Sequence, residues 1–359
     1  MSEPKIDVAV DDPLFRANHL TAVRWVLAGL VAVGHVFLLT TAYEPTRIYH
    51  WTGGYMAVNG FFVLSGLLIA KSLNTRRQLG PYVKSRLLRI YPALIAMGLA
   101  FVFIFAPFFS EPGGLDRVWS GETWRYVLRV LAMGDPQNAP GGIFAGNLES
   151  DFNGPLWTIR FEMMAYGLAA FGFFSGVLGG FRRTVTAFLV LQIAYLVLPH
   201  MIDFSVLPTG ALPLLRLSSA FLMGMVLWHW PSARRPHGLI VVALVGLFLL
   251  FGDSLIGELL ANLALTAVIL RVGLPSKTSR LVSAMPDYSY GLYIWHYPVM
   301  QGVLFFHPDF GPAMLGLVST PIFLLVSAAS WHLIEKPALR LKRLRRPKAV
   351  LAFDGEAPR

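Results

Sequence analysis

An arginine and a histidine, Arg24 and His35, lie eleven residues apart in the otherwise apolar run Leu20–Thr40. Eleven helical residues turn through about 1100° and rise about 16 Å, so both side chains project from one face at two depths. Histidine, with an ordinary pKa of about 6.5, suits proton transfer near neutral pH. Arginine keeps its charge, so it holds an anion rather than doing proton chemistry. Hydrocarbon makes either group costly unless it is paired or hydrated, which marks the pair as a functional site.

Other segments repeat this pattern. A segment opened by Gly154-Pro155-Leu156-Trp157 carries Glu162 about one and a half turns in, with Tyr166 one turn further on the same face. Such a glutamate either holds a neighbouring helix by a hydrogen bond or takes part in chemistry. The run Gly54–Gly66 mixes glycines with Asn59 and Ser65, a composition that also permits close helix packing. Ser289 and His296 are seven apart and share a face. Pro298 frees backbone carbonyls near His296, so this ring can equally be a satisfied structural group. Trp331, His332 and Glu335 end an apolar run where polar residues are cheap and read as structural. Gly252-Asp253-Ser254-Leu255 spells an esterase opening, but it falls in a short turn between two apolar runs and is set aside.

The elements that must position these groups follow from composition. Of 359 residues, 55% are apolar and 14% charged, which describes an all-α polytopic integral membrane protein. Apolar runs of bilayer length predict about ten transmembrane helices around a central polar cavity. They fall near 20–41, 53–71, 91–110, 154–176, 184–199, 211–230, 238–252, 255–271, 287–306 and 311–334. Lys71, Arg76, Arg77, Lys84, Arg86 and Arg89 follow the second run without an acid, and later alternate connections are also basic. Basic connections stay cytoplasmic, so both termini are expected inside. The acidic stretch of about 111–153 is expected outside, as a lid or irregular wall. The expected units are an N-terminal cytoplasmic tail (1–19), a transmembrane domain (20–335) and a basic cytoplasmic tail (336–359). The first nineteen residues do not look like a removable signal peptide.

The net charge of +10 is mostly a topology signal and does not point to nucleic acid. There is no cysteine, which excludes disulfides, thiolate catalysis and cysteine-bound metal centres.

Six blocks in order carry a resemblance. They are Arg24 to His35, Gly60-Phe61-Phe62-Val63-Leu64-Ser65-Gly66, Tyr82 to Pro92, Pro155 to Glu162, Ser289 to His296, and Ile334-Glu335-Lys336-Pro337. Together they resemble the membrane-bound acyltransferase family 3 over almost the whole chain. The resemblance implies O-acylation, usually O-acetylation, of an extracytoplasmic or lipid-linked saccharide in the bacterial inner membrane. It implies acyl-CoA as cytoplasmic donor co-substrate and no metal. The family's arginine–histidine motif falls on Arg24 and His35, its paired arginines on Arg86 and Arg89, its tryptophan-to-glutamate block on Trp157 and Glu162, and its serine on Ser65. Gly34 before the histidine, and Arg160, Met163 and Met164 around Glu162, depart from the family pattern and bear on the acceptor pocket.

On this reading His35 is the candidate base. Glu162 either holds the His35 ring in one tautomer or binds a sugar hydroxyl. Arg24 binds the donor or helps order the channel, and Arg86 and Arg89 either bind the donor by forked hydrogen bonds to phosphate or simply keep their connection cytoplasmic. Asn59, Ser65, Trp157, Tyr166 and His296 are the candidate substrate contacts. Direct transfer is favoured over an acyl-histidine intermediate. The rival class is a transporter or flippase for an anionic or glycosylated substrate, with Arg24, His35 and Glu162 as a relay. Against it, no matched pair of Gly/Pro-broken helices appears in two halves of the chain.

Overall fold

The computed structural model describes residues 15, 18–137, 139–203, 207–208 and 210–342. The expected N-terminal tail up to residue 14, and the basic tail beyond residue 342, lie outside the described residues. The first helix, α1 (Leu20–Thr41), leads through a hairpin of β1 (Arg47–Ile48) and β2 (Trp51–Thr52) into α2 (Gly53–Arg76). Then come α3 (Leu79–Ala100), α4 (Ala106–Phe108), α5 (Gly121–Leu131), α6 (Trp157–Phe174), α7 (Phe181–Met201) and α8 (Ala211–His229). The chain ends in α9 (Gly238–Phe251), α10 (Gly257–Gly273), α11 (Arg280–Ser283), α12 (Ser289–Phe306), α13 (Pro312–Ser330) and α14 (Lys336–Arg340).

A helix occupies each of the ten expected spans. Among the described residues, six are long and apolar enough to cross a membrane: α1, α2, α3 with its extension to Phe108, α7, α8, and α13 with its extension to Arg340. At the start of the first of these, Asn18 Oδ1 accepts the Leu20 amide at 3.0 Å, whereas α2 has two devices at its start. Thr52 accepts the Tyr55 amide at 3.1 Å, and the Glu44 carboxylate accepts the Gly54 amide at 2.8 Å. An anion there suits the positive end of the helix.

Helix α2 is the central element, packed against α1, α6, α8 and α10. Its contact with α8 is backbone to backbone. A Cβ on Gly66 would stand 1.9 Å from the Phe221 carbonyl oxygen, and one on Gly224 would stand 2.0 Å from that of Val63. The small-residue run of α2 is therefore a close-packing surface at Gly66, one residue from Ser65, which faces the cavity described below.

Two helices cross a proline by widening. The last turn before α4, Phe101–Phe105, and the last turn before α14, Trp331–Glu335, are both π-helical. Pro107 and Pro337 each follow two residues later. A proline has no amide hydrogen and its ring crowds the carbonyl four residues back, and one wide turn relieves both.

The long connection between α4 and α6 is not wholly irregular, because it contains the helix α5. This was missed because its eleven residues alternate charged and apolar groups, Glu122, Arg125 and Arg129 against the buried Tyr126, Val127 and Val130, and its mean apolarity is too low to stand out. Gln301 of α12 pins the connection, donating to the carbonyls of Glu149 (2.6 Å) and Asp151 (2.9 Å). Asn153 donates to Ile294 O at 2.9 Å, which takes up the carbonyl that Pro298 leaves free.

Gly66→Leu is expected to force α2 and α8 apart at a cost of about 1–3 kcal/mol or more. A lowered thermal midpoint in detergent would show it, with Gly29→Ala as control, since a Cβ at Gly29 meets nothing within 4 Å.

Candidate active site

The bundle has a basic end, where α1 begins and α2 ends, and a loop end carrying the hairpin and the α4–α6 connection. At the basic end three helices meet at one carboxylate. Asp287, in the turn before α12, takes Arg89 Nη2 of α3 at 2.8 Å and Arg24 Nη2 of α1 at 2.9 Å. Ser289 Oγ donates to its other oxygen at 2.6 Å. The π-turn after α13 brings Glu335 inward to 3.9 Å from Arg89 Nη1. Two guanidiniums thus face two carboxyl groups.

A cavity of about 500 Å³ starts at this end and runs inward to the rings of Phe61 and Tyr293. Arg24, Arg86 and Arg89 all line it, but Asp287 already holds two of the three. Arg86 donates to Ser85 Oγ at 3.1 Å and lies 5.6 Å over the Tyr166 ring, with no carboxylate paired to it among the described residues. Arg76 and Lys342 line the same mouth. Burial first, and then the guanidiniums of Arg86, Arg89 and Arg76, push the Lys342 ammonium down to about 7. Sequence reasoning assigned Arg76 and Lys342 only to topology, because their distance from the paired arginines closes only when α2, α3 and the chain after α14 converge.

Midway along the cavity sits Glu162. Ser65 Oγ donates to its Oε1 at 3.2 Å, and the Tyr166 hydroxyl donates to the same oxygen. Helical spacing placed Tyr166 beside Glu162, but Ser65 comes from α2. Arg160 turns away to pair with Asp135 at 3.2 Å, and neither Met163 nor Met164 lines this cavity.

Glu162 does not hold His35. The partner of His35 Nδ1 is His296 Nε2, at 2.8 Å, with the two rings stacked at 5.1 Å between centroids. His296 is fully buried, and its Nδ1 lies 2.7 Å from the carbonyl oxygen of Leu292. His296 is thus a ring partner of His35. The carbonyl freed by Pro298 goes to Asn153, not to this ring. The pair lies just past the inner end of the cavity: the Tyr293 ring, which packs edge-on against Phe61 at 5.8 Å, is 6.4 Å from that of His296.

The sequence model of the family described as "Acyltransferase domain" matches residues 18–332. The chain belongs to this family, acyltransferase family 3. It is 27% identical over 341 residues to the "O-acetyl transferase" of Shigella phage Sf6, covering 90% of this chain and 96% of that protein. It is 26% identical over 349 residues to the "Exopolysaccharide production protein ExoZ" of Rhizobium meliloti (strain 1021), covering 88% and 98%. It is 30% identical over 159 residues to the "Acyltransferase MdmB" of Streptomyces mycarofaciens, covering 42% and 38%. No solved structure matches. The protein is an acyltransferase with the apolar helices of an integral membrane protein, and its chemistry is O-acylation from an acyl donor.

Besides His35 and His296, two further sequence candidates of this acyltransferase lie outside the cavity wall. Asn59 is fully buried and donates to Glu258 Oε1 (2.8 Å) and Asn262 Oδ1 (2.9 Å) of α10. Tyr55 and Tyr195 also donate to Glu258, at 2.7 and 2.9 Å. Trp157 packs on Phe161 and lies 6.0 Å from the Arg216 guanidinium, which itself covers the Tyr55 ring at 3.7 Å. This network on α2, α7, α8 and α10 was not expected. Glu258 and Arg216 sit in apolar runs as Glu162 does, but single polar residues at depth reveal their partners only when the helices pack. Among the described residues no three His, Asp or Glu side chains converge as metal ligands.

Asp287→Asn is expected to leave Arg24 and Arg89 facing each other uncompensated, a loss of about 3–5 kcal/mol for a broken buried pair. Thermal unfolding in detergent, followed by tryptophan fluorescence, measures it directly.

Proposed function

We propose that this protein transfers an acyl group, acetyl in the first instance, from cytoplasmic acyl-CoA to a hydroxyl of an extracytoplasmic or lipid-linked saccharide. The basic end of the bundle is then cytoplasmic, the loop end faces outward, and all ten helical spans cross a bacterial inner membrane. The observation that carries this reading is the cavity itself. It starts among Arg76, Arg86 and Lys342 and ends at Phe61 and Tyr293, one ring away from His296 and its partner His35. A donor with phosphates at one end and a thioester at the other fits such a channel. Its phosphates meet the cations and its arm passes Ser65, Glu162 and Tyr166. Arg24 and Arg89, balanced by Asp287 and Glu335, order the channel wall.

The acceptor hydroxyl approaches from the loop end. His35 takes its proton as the oxygen attacks the thioester carbonyl, then returns that proton to the leaving thiolate. Glu162, presented by Ser65 and Tyr166, holds the donor arm through hydrogen bonds. The name of the Rhizobium relative, an exopolysaccharide production protein, supports a carbohydrate acceptor, because a saccharide offers the hydroxyls that O-acylation needs.

Three outcomes test the reading. His35→Ala is expected to lower acyl transfer by about 10²–10⁴-fold in folded, membrane-inserted protein. Mass spectrometry of surface glycans for alkali-labile esters, with and without the gene, reads this out. Retained esters in that variant would remove His35 as base. Glu162→Gln keeps the shape and removes the charge, and is expected to weaken donor use in single-turnover assays. Full activity would show that the carboxylate is dispensable.

The third outcome concerns pH. Lys342 is protonated below about 7 and loses its charge as pH rises through that value. Affinity for coenzyme A, measured by calorimetry in detergent, is therefore expected to fall across neutral pH in the wild type. In Lys342→Met it is expected to be weaker and flatter.

A further inference from the structure

The geometry points to His296 as the residue that fixes the tautomer of His35, leaving Nε2 of His35 as the one atom that can take the acceptor's proton. This inference rests on the reading of His35 as base. It adds which nitrogen acts and what holds it.

One group in the chain of contacts has a fixed role. A backbone carbonyl oxygen only accepts, so His296 Nδ1, at 2.7 Å from Leu292 O, must carry a hydrogen and donate it. In a neutral ring the other nitrogen is then a bare acceptor. That acceptor, His296 Nε2, is 2.8 Å from His35 Nδ1. Two bare nitrogens at this distance would repel, so His35 Nδ1 carries the hydrogen and donates. His35 Nε2 is left with its lone pair, and among the described residues nothing donates to it.

The opposite order requires His296 to be doubly protonated, with Nε2–H donating to His35. That would place a cation on a fully buried ring. Around the pair stand the rings of Tyr293, Tyr297 and Phe323. Among the described residues neither histidine ion-pairs with a carboxylate. A buried charge without a partner is the costly state, so the neutral relay is the ground state.

During transfer the acceptor O–H bond breaks and its proton goes to His35 Nε2. The oxygen bonds to the acyl carbon, the carbon–sulfur bond breaks, and His35 Nε2–H passes the proton to the thiolate. His35 is a cation between these events, and its Nδ1–H to His296 becomes a charge-assisted bond. The proton goes no further, because His296 Nδ1 faces a carbonyl. His296 is thus a positioning residue, held by its own helix and never consumed.

Without this contact the His35 ring is free to carry its hydrogen on Nε2, which leaves the bare nitrogen facing the wrong way. His296→Leu is expected to lower kcat by at least 100-fold with little change in donor KM, while His296→Gln, whose amide oxygen can accept from Nδ1–H, recovers at least tenfold of the loss. The ring state is read without turnover, by nitrogen NMR of histidine-labelled protein assigned through His35→Gln. The wild type is expected to show His35 protonated at Nδ1 and bare at Nε2, and His296→Leu to lose that preference. A wild type protonated at Nε2 of His35, or a His296→Leu variant within twofold of wild-type kcat, overturns the inference. If instead His35→Ala keeps its activity, the reading of His35 as base falls, while the NMR result still decides whether His296 sets the tautomer.

Discussion

One carboxylate at the edge of an apolar bundle governs the geometry of the site. Asp287 draws Arg24 of α1 and Arg89 of α3 to the start of α12, because a guanidinium taken out of water must meet an anion. Helices α1 and α12 run side by side from the basic end. A second contact, His35 with His296, joins the same two helices eleven residues further along α1 and nine residues past Asp287 on α12. At about 1.5 Å per residue these two contacts sit roughly 15 Å apart. The ion pair at one depth therefore sets the register of the ring pair at the other. A slide of one helix past the other would break both.

The same constraint separates the cations of the cavity into two groups. Arg24 and Arg89 are the deeper residues, and depth forces compensation. Arg86, Arg76 and Lys342 lie nearer the mouth, where water can do the compensating. Cations paired to carboxylates and cations without one are thus sorted along one cavity among the described residues. The two π-turns serve this arrangement from outside it. One carries α3 past Pro107, and the other rotates Glu335 into contact with Arg89.

Close backbone packing does for α2 and α8 what the ion pair does for α1 and α12. Gly66 and Gly224 allow each helix to touch the carbonyl of the other, which fixes Ser65 one residue away. Ser65 in turn fixes Glu162 on α6. The polar network around Glu258 ties α2 to α7 and α10 by hydrogen bonds that hydrocarbon makes hard to exchange.

Much of this was legible in the chain. Apolar runs and six ordered blocks gave the helical class, the positions of the long helices and the acyltransferase family. Helical periodicity placed Arg24 with His35 and Glu162 with Tyr166, because residues on one helix keep fixed angular relations whatever surrounds them. Periodicity carries nothing across helices. The pairing of His35 with His296 rather than Glu162, the capture of two arginines by Asp287, and the joining of Arg76 and Lys342 to Arg86 all link residues far apart in sequence. Those links depend on which faces pack and at what register. The sequence by itself determined which residues are too polar for their surroundings; tertiary packing alone decided which partner satisfies each, since a buried polar group must be paired but its sequence does not say with whom.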